Sequence, residues 1–273
     1  MTADDLAALV DVALPGERLS ADDLLGVCWD TDDGPSIVLG DDAAAVSVAY
    51  RDGRAAVQLL VVHPDARREG RGRALLDAAT DWAFDLGASS VFIGAAPPWH
   101  LWPGIDLRWT AGLVLAESAS FEPLGIAINL SCTTSARIPP PAGVTLRRVV
   151  DDADATAVIE LCKRAAAPTW TREAARAIEH GACHGAFDDA GGALVGFATH
   201  SVSRAGWLGP MAVDPGRQRS GVGGPLLTAC LQDLQVAGFD RCEMSAIGPV
   251  GFFVKAANAE VGRAFRLVVK ARP

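Results

Sequence analysis

Glycine and arginine residues recur in two stretches of this sequence, in a pattern that could hold a phosphate group. Residues 63–76 read HPDARREGRGRALL and residues 214–227 read DPGRQRSGVGGPLL. The two stretches align without a gap at a distance of 151 residues. Glycine lets the backbone approach an anion closely, and the free N–H groups at a helix N-terminus attract negative charge. Each stretch therefore predicts an anion site built mainly from backbone atoms.

Both stretches lie between a predicted strand and a predicted helix. Apolar residues precede them at 59–62 (LLVV) and 211–213 (MAV), and apolar residues at helical spacing follow them as far as Gly87 and Gly238. A strand, a glycine-rich turn and a helix in this order direct several N–H groups at one point. The repeated order predicts an α/β chain of two domains, each a mixed sheet flanked by helices, and disfavours chance similarity.

A dinucleotide-binding turn of the Rossmann type is disfavoured at both stretches. That turn has a third glycine, three residues after its second one, in the pattern G-x-G-x-x-G. The corresponding positions hold Leu75 and Leu226. A phosphate group of a different ligand is therefore expected.

In these residues the sequence resembles the GCN5-related N-acetyltransferases. The pattern R-x-x-G-x-G at residues 67–72, and Q-x-x-G-x-G at 218–223, is similar to the acyl-CoA-binding motif of that family. The order of the predicted elements is similar as well, and a Trp-Pro-Gly-Ile-Asp stretch at 102–106 resembles tandem members of actinobacterial type. We expect an N-terminal domain at residues 1–135, a proline-rich linker at 136–142 and a C-terminal domain at 143–273.

The resemblance implies acetyl-CoA, or another acyl-CoA, as the co-substrate. The strand before each turn would pair with the pantetheine arm, one of its N–H groups would face the thioester oxygen, and the turn would cradle the pyrophosphate. The expected strand residues are Leu60, Val61 and Val62 in the first copy and Met211, Ala212 and Val213 in the second. The expected turn residues are Arg67, Arg68, Gly70, Arg71, Gly72 and Arg73, and Gln218, Arg219, Gly221, Val222, Gly223 and Gly224.

The usual proton donor of the family, a tyrosine after the fifth strand, is missing from both copies. Its Phe-Tyr pair corresponds to Phe252-Phe253 in the second copy and, at the same distance of 151 residues, to Leu101-Trp102 in the first. The only tyrosine of the chain is Tyr50, on an early predicted strand. The standard mechanism of the family is therefore not expected.

Other side chains become candidates for acid–base chemistry and for substrate binding. The candidate catalytic residues are Glu243, His100 and Asp106, with a solvated strand residue and polar loop residues as the structural alternatives. The candidate substrate-binding residues are Trp99, Trp102 and Trp109, which could form an aromatic wall for a cationic amine or pack in the core.

The composition favours a small cationic acceptor. The chain has 273 residues and a formal net charge of −9, which argues against a nucleic-acid partner. The N-terminus lacks the basic region and apolar core of a signal peptide, and no apolar run approaches the roughly 20 residues of a membrane span. We therefore expect a cytoplasmic protein without a membrane partner. His180, Cys183 and His184 lie close together, but no second cluster of ligands accompanies them, so we expect no metal site.

These observations together predict an N-acyltransferase that moves an acetyl group from acyl-CoA to the primary amine of a small molecule. Two alternatives remain open. The chain could be a catalytically inert CoA-binding or sensing module, or it could acetylate a peptide or protein, with one domain serving only as a structural support. The sequence does not distinguish which domain is active, and it leaves the oligomeric state open.

Overall fold

The computed structural model describes residues 1–29, 34–94, 100–165, 169–245 and 249–273. The chain forms two compact units. The first consists of Met1–Ala127 together with Arg263–Pro273, and the second of Ile128–Gly262. Both units are mixed sheets flanked by helices, so the predicted α/β fold with a mixed sheet is confirmed.

Two capped helices open the first unit. Each begins with a capping box, formed by Thr2 with Asp5 and by Ser20 with Asp23, which satisfies N–H groups that the first helical turn leaves free. The elements, in chain order, are α1 (Ala3–Ala13), α2 (Ala21–Cys28), β1 (Ser36–Gly40), β2 (Ala44–Arg51), β3 (Arg54–Val62), α3 (Arg71–Asp85), β4 (Ser90–Ile93), β5 (Ile105–Asp106), α4 (Thr110–Ser118) and the beginning of β6 (Glu122–Thr133).

The described residues of the second unit repeat this order of elements, except that the strand β7 precedes its two helices and that no strand corresponds to β5. After the end of β6 come β7 (Val144–Arg148), α5 (Asp152–Ala165), α6 (Trp170–Glu179), β8 (Cys183–Asp188), β9 (Leu194–His200), β10 (Trp207–Val213), α7 (Gly223–Val236), β11 (Arg241–Met244), α8 (Val250–Ala257) and the beginning of β12 (Glu260–Ala271). Its strands lie in the order β6-β11-β10-β9-β8-β7, and those of the first unit in the order β1-β2-β3-β4-β12, with β5 also paired to β12.

The end of the chain belongs to the first unit, which differs from the predicted domain boundaries. The last strand pairs antiparallel with β4, where Val269 lies opposite Phe92, and with β5, where Phe265 lies opposite Asp106. Conversely, the end of β6 pairs with β11 of the second unit. The segment predicted as a linker, 136–142, lies inside the second unit, where the Ile138 N–H donates to the Thr228 hydroxyl of α7.

The core of the second unit shows which face of its sheet α7 covers. Buried residues of α7 such as Leu227 and Leu231 pack with Leu208 on β10 and with Cys242 and Met244 on β11. Successive strand residues point to opposite faces of a sheet. The strand neighbours of Leu208, Cys242 and Met244 therefore face away from α7. Helices α5 and α6 pack against the strands β8, β9 and β10, and their buried residues are separate from the α7 cluster.

The repeat is interrupted in the first unit by an insertion. The helix before the long strand β6 is α4, which begins at Thr110, whereas the helix before β12 is α8, which begins at Val250. The predicted match of Leu101-Trp102 with Phe252-Phe253 is therefore wrong. Leu101 and Trp102 lie in the insertion, outside any helix, and the true counterparts of the phenylalanines lie on α4, which contains no tyrosine.

Within the described residues, no helix is both long and apolar enough to cross a membrane.

Candidate functional site

In the first unit, β3 and β4 stop pairing before the residues of β3 that are predicted to bind the co-substrate. The parallel pairing of β3 with β4 runs from Arg54 opposite Ser90 to Val57 opposite Ile93. The last residues of β3 continue to pair with β2, and within the described residues no strand pairs with them on the other side. The predicted residues Leu60, Val61 and Val62 therefore line an edge of β3 that β4 leaves open.

The second unit shows the same parting between β10 and β11. Their parallel pairing consists of Trp207 opposite Glu243 and Leu208 opposite Met244. The next predicted residues, Met211, Ala212 and Val213, pair with β9 and with no other strand in the part of the chain that the structure describes. An open strand edge of this kind presents backbone N–H and C=O groups to an extended ligand arm.

Each open edge leads into a turn with two left-handed residues. In the first unit these are Arg68 (φ 68°) and Gly70 (φ 82°), and in the second they are Arg219 (φ 61°) and Gly221 (φ 85°). The left-handed conformation strains residues with a Cβ atom, which explains why glycine recurs at the second position. The two turns thus share one backbone conformation, as the sequence repeat predicts.

The turns end at helix N-termini that no side chain caps. Helix α3 begins after Gly70 and α7 begins after Val222, and neither of these residues accepts a hydrogen bond with its side chain. The N–H groups of the first turn of each helix are therefore available to an external acceptor. Together with the helix dipole, they form the kind of site that binds phosphate.

The remaining glycines of the motifs also serve packing within the protein. A Cβ atom added at Gly72 would lie 3.4 Å from the side chain of Val62, and one at Gly223 would lie 3.1 Å from the ring of Phe252. A Cβ atom at Gly224 would lie 3.0 Å from Ile138. Besides the expected close approach of a ligand, the absence of a Cβ atom at these glycines therefore permits packing inside the protein.

The arginines of the first turn are largely engaged by the protein itself. Arg67 donates to the carbonyl oxygens of Val62 and Ala13, at 3.1 and 2.8 Å. Arg71 pairs with Asp41 at 3.2 Å, and Arg73 pairs with Asp77 at 2.7 Å. These contacts order the turn.

In the second turn, Gln218 and Arg219 are exposed, and Val222 is buried against α7. Arg68 of the first turn is exposed too. Both turns therefore present an arginine in the left-handed conformation to solvent, next to the free helix terminus. A guanidinium at this position is suited to an anionic ligand.

The insertion of the first unit is held by a buried network of charges. Arg263 of β12 donates to Glu17 at 2.9 and 3.0 Å and to Asp106 at 2.7 Å. Arg108 donates to both carboxylate oxygens of Asp106, and the Trp102 indole N–H donates to Glu17 at 3.0 Å. This network joins the insertion to the first helices and to the end of the chain.

These contacts argue against the catalytic and substrate roles expected for the insertion. Burial raises the pKa of Asp106, but hydrogen bonds from Arg108 and Arg263 outweigh it and hold the pKa below its ordinary value. A carboxylate that pairs with two arginines is a weak base. Trp102 is buried, and its ring meets that of Trp109 edge-on, with the centroids 5.0 Å apart, as in a packed core.

The other two candidates in this region are His100 and Trp99. Burial lowers the pKa of His100 to about 4, so its imidazole is neutral near pH 7 and holds a proton only in acid. Trp99 lies outside the described residues.

Glu243, the candidate of the second unit, lies at the point where β10 and β11 part. It neighbours Trp207 in the parallel pairing, and its two sequence neighbours, Cys242 and Met244, belong to the α7 core. Its side chain therefore points to the opposite face, where the Asn129 amide donates to its carboxylate at 2.6 Å. Glu243 is half-buried and Asn129 is fully buried. The carboxylate is thus both positioned by a neighbour and reachable.

A second carboxyl group, which the sequence reading missed, lies on α6. Burial raises the pKa of Glu173 to about 8. The residue shares the inward stripe of α6 with Ala174 and Ala177, and this helix packs against β8, β9 and β10. The sequence did contain a signal for this residue, because a carboxyl group on an otherwise apolar helical stripe indicates a buried carboxyl group with a shifted pKa.

Comparisons with known proteins match both halves of the chain. A family model described as the acetyltransferase (GNAT) family matches residues 12–101 and 154–249, which together make up more than half of the chain. The matched segments include the open strand edge and the glycine turn of each unit. The resemblance read from the motifs is therefore confirmed.

Two curated relatives are mycothiol acetyltransferases. The protein from Clavibacter michiganensis subsp. michiganensis is 29% identical over 260 residues, covering 84% of this chain and 79% of its own length. The protein from Thermomonospora curvata is 30% identical over 203 residues, covering 68% of this chain and 63% of its own length. Among solved structures, a tandem GNAT protein from the clavulanic acid biosynthesis pathway has a TM-score of 0.74 at 18% identity, covering 99% of this chain and 94% of that protein.

Proposed function

Because the chain belongs to the acetyltransferase (GNAT) family, we propose that it transfers the acetyl group of acetyl-CoA to the primary amine of a small molecule. We further propose that the second unit carries out the transfer, while the first binds acetyl-CoA as a structural support. One observation carries the proposal. In both units an open strand edge leads into a left-handed turn and an uncapped helix N-terminus, but among the described residues only the second unit has a reachable carboxylate beside the parting strands.

Three features of the second unit fit the co-substrate: the open strand edge, the helix N-terminus and an exposed arginine. The open edge at Met211, Ala212 and Val213 would pair with the pantetheine arm, which carries amide groups able to form such bonds. The free N–H groups at the start of α7 would hold the pyrophosphate, with the exposed guanidinium of Arg219 beside it. When bound, acetyl-CoA supplies an acetyl thioester at the open strand edge.

The backbone of β10 would stabilise the charge that develops in the reaction. As the neutral amine attacks the thioester carbonyl, the oxygen gains negative charge, and an N–H group of the open edge is placed to donate to it. A fixed backbone donor needs no rearrangement during the reaction. The C–S bond then breaks, and the thiolate takes a proton from solvent, since the corresponding helix, α8, carries Phe253 in place of a tyrosine.

Glu243 would accept the proton that the amine loses. It lies level with Trp207, four residues before Met211, which corresponds to roughly 13 Å along a strand. This distance exceeds the length of a hydrogen bond. The proton would therefore pass from the amine to the carboxylate through the bound amine substrate and water molecules. Asn129 would hold Glu243 in place through its 2.6 Å hydrogen bond.

The first unit is proposed to be inactive because its corresponding region is filled. Asp106 is locked by two arginines, and Trp102 and Leu101 are buried. Gln58, at the point where β3 and β4 part, donates to the Val27 carbonyl and accepts from the Ser47 hydroxyl. Gln58 is therefore held by the protein, and its amide cannot accept a proton as the Glu243 carboxylate would.

A CoA-release assay over a panel of amines would test the proposed activity. The relatives are named mycothiol acetyltransferases, so amines related to mycothiol come first, followed by polyamines, aminoglycosides, amino acids and peptides. We expect turnover with one class of small amine. Turnover only with peptides would favour a peptide or protein acetyltransferase, and acetyl-CoA binding without turnover on any amine would favour a sensing module.

A further inference from the structure

Two histidines and an aspartate of the second unit converge on one point, far from the glycine turn. His184 lies on β8, His200 ends β9 and Asp233 lies in the last turn of α7. The Asp233 Oδ2 atom is 2.7 Å from the His184 Nε2 atom and 3.1 Å from the His200 Nε2 atom. The candidate ligand atoms all lie within 4.8 Å of one another. We propose that His184, His200 and Asp233 bind a divalent transition-metal ion, with zinc as the best match.

The donor set supports this choice of metal. Two imidazole nitrogens and one carboxylate oxygen are typical zinc ligands, and three protein ligands leave a fourth position for water or another donor. Hard cations such as Mg²⁺ and Ca²⁺ prefer oxygen ligands alone. The three residues come from three different elements, so a bound ion would tie the end of α7 to the neighbouring strands.

Residues outside the cluster contact two of the proposed ligands, His200 and Asp233. The Ser201 hydroxyl lies 3.2 Å from the His200 Nδ1 atom, on the ring edge opposite the cluster. Arg148 donates to Asp233 at 2.8 Å. Hydrogen bonds from outer residues to histidine and carboxylate ligands are a regular feature of metal sites, because they fix the orientation of the ligand. Arg148 contacts the same Oδ2 atom that lies nearest the two histidines, so the Oδ1 atom of Asp233 is the one that would remain for the ion.

The strand register explains why the two histidines meet. His184 lies opposite Ala198 in the antiparallel pair of β8 and β9, and the His200 N–H donates to the Ala182 carbonyl. Their side chains are therefore diagonal neighbours on the same face of the sheet, which is the face that α7 covers. Their side chains are 12% and 11% exposed and that of Asp233 is 22% exposed, so the site is enclosed but reachable.

The site is separate from the proposed acetyl-CoA site. Asp233 lies ten residues after Gly223 on α7, which corresponds to roughly 15 Å along the helix. Of the sequence neighbours His180, Cys183 and His184, only His184 joins the cluster, together with residues from two other segments. Adjacent strand residues point to opposite faces, so Cys183 does not join this cluster.

Metal binding by the full-length protein tests the proposal. After chelator treatment and dialysis, the protein is titrated with ZnCl₂ by calorimetry, and bound zinc is counted by elemental analysis. We expect one zinc ion per chain and a rise in the melting temperature with zinc. His200→Ala should lose affinity by more than about 100-fold, because losing even an outer contact of a ligand costs about 10-fold to 100-fold, whereas His180→Ala, which removes an exposed histidine nearby, should bind as the unmodified protein does.

A second measurement keeps the test independent of folding defects. Asp233→Asn retains a side chain of the same shape, and the melting temperature without zinc reports whether the variants are folded. Co²⁺ added to the unmodified protein should give the intense visible absorption of a four-coordinate ion. The proposal is overturned if the unmodified protein binds no zinc, or if His200→Ala and Asp233→Asn bind zinc as tightly as His180→Ala does.

Discussion

Replacing Arg263 by glutamine should destabilise the first unit strongly. The guanidinium makes three charged hydrogen bonds, of 2.9 and 3.0 Å to Glu17 and of 2.7 Å to Asp106. The Arg263 and Glu17 side chains are 10% and 9% exposed, and that of Asp106 is 1% exposed. Breaking a buried ion pair from one side costs about 3–5 kcal/mol, because the remaining charge is left without compensation. Arg108 still holds Asp106, so we expect the lower value, about 3 kcal/mol.

Urea unfolding of the full-length protein would measure this loss. Trp102 and Trp109 lie beside the network, so the tryptophan fluorescence change of the first unit reports it. Arg266→Gln is the matched control, because Arg266 is exposed on the same strand. We expect less than about 0.5 kcal/mol for this control. Equal, small effects of the two substitutions would refute the reasoning that the network anchors the end of the chain in the first unit.

The same network gives a dependence on pH. Although burial raises the pKa of Asp106, the arginines hold it below the value of the unfolded chain. The stabilisation is therefore fully present above the unfolded pKa, near 4, and is lost as the pH falls through the lower folded pKa. The difference in stability between the unmodified protein and Arg263→Gln should accordingly shrink in acid. A difference that stays constant down to pH 2 would contradict this origin.

Two further predictions concern the carboxyl groups of the second unit. Burial raises the pKa of Glu173 to about 8, so the folded state favours its protonated form, and stability should decline as the pH rises from the unfolded pKa, near 4.5, through 8. Glu173→Gln should remove this decline and stabilise the protein by about 2 kcal/mol at pH 9, with little effect at pH 5, as measured by urea unfolding at both values. Glu243→Gln should lower kcat by about 100-fold with little change in the KM for acetyl-CoA, and an unchanged kcat would remove Glu243 from the proposed mechanism.

The local elements of this fold were predictable because their signals are local. Glycines followed by apolar residues at helical spacing marked the turns before α3 and α7, and the structure shows Gly70 and Gly221 in the left-handed conformation. The cap of α2 is local in the same sense, because Ser20 and Asp23 are three residues apart. Such signals depend on a few neighbouring residues, so they survive without knowledge of the tertiary structure.

The partners of distant residues were not predictable in the same way. Arg263 and Glu17 are 246 residues apart, and nothing in either segment marks the other. The role of Asp106 was therefore judged without its partners, and a buried ion pair looked like a candidate base. The exchange of β6 and β12 was missed for the same reason, since a strand pattern shows that a segment pairs but not with which strand.

The candidate sites show the same difference between local signals and contacts of distant residues. The backbone parts of the proposed acetyl-CoA site follow from the repeat, whereas the neighbours of Glu243 and the burial of Glu173 follow from packing. The extension of the repeat distance beyond the insertion failed because residues inserted before α4 change the spacing. A repeat distance holds only until the first insertion, and sequence alone did not mark where the insertion ended.

The most direct test of the proposed function compares charged and neutral side chains of the same shape in the two turns. Asparagine and aspartate tolerate the left-handed conformation of Gly70 and Gly221 better than other residues do. An added carboxylate at roughly 6 Å from a pyrophosphate should weaken binding by about 2 kcal/mol, or about 30-fold, relative to asparagine. Gly238→Asp, in the same conformation at the other end of α7, is the control.

The measurement is acetyl-CoA binding by calorimetry together with CoA release in the presence of the accepted amine. We predict two binding sites in the unmodified protein. Gly221→Asp should lose turnover at low acetyl-CoA concentration by about 30-fold relative to Gly221→Asn. Gly70→Asp should weaken one of the two binding sites by about 30-fold relative to Gly70→Asn and leave turnover intact. The account is contradicted if Gly221→Asp and Gly221→Asn have equal turnover, or if Gly70→Asp abolishes it.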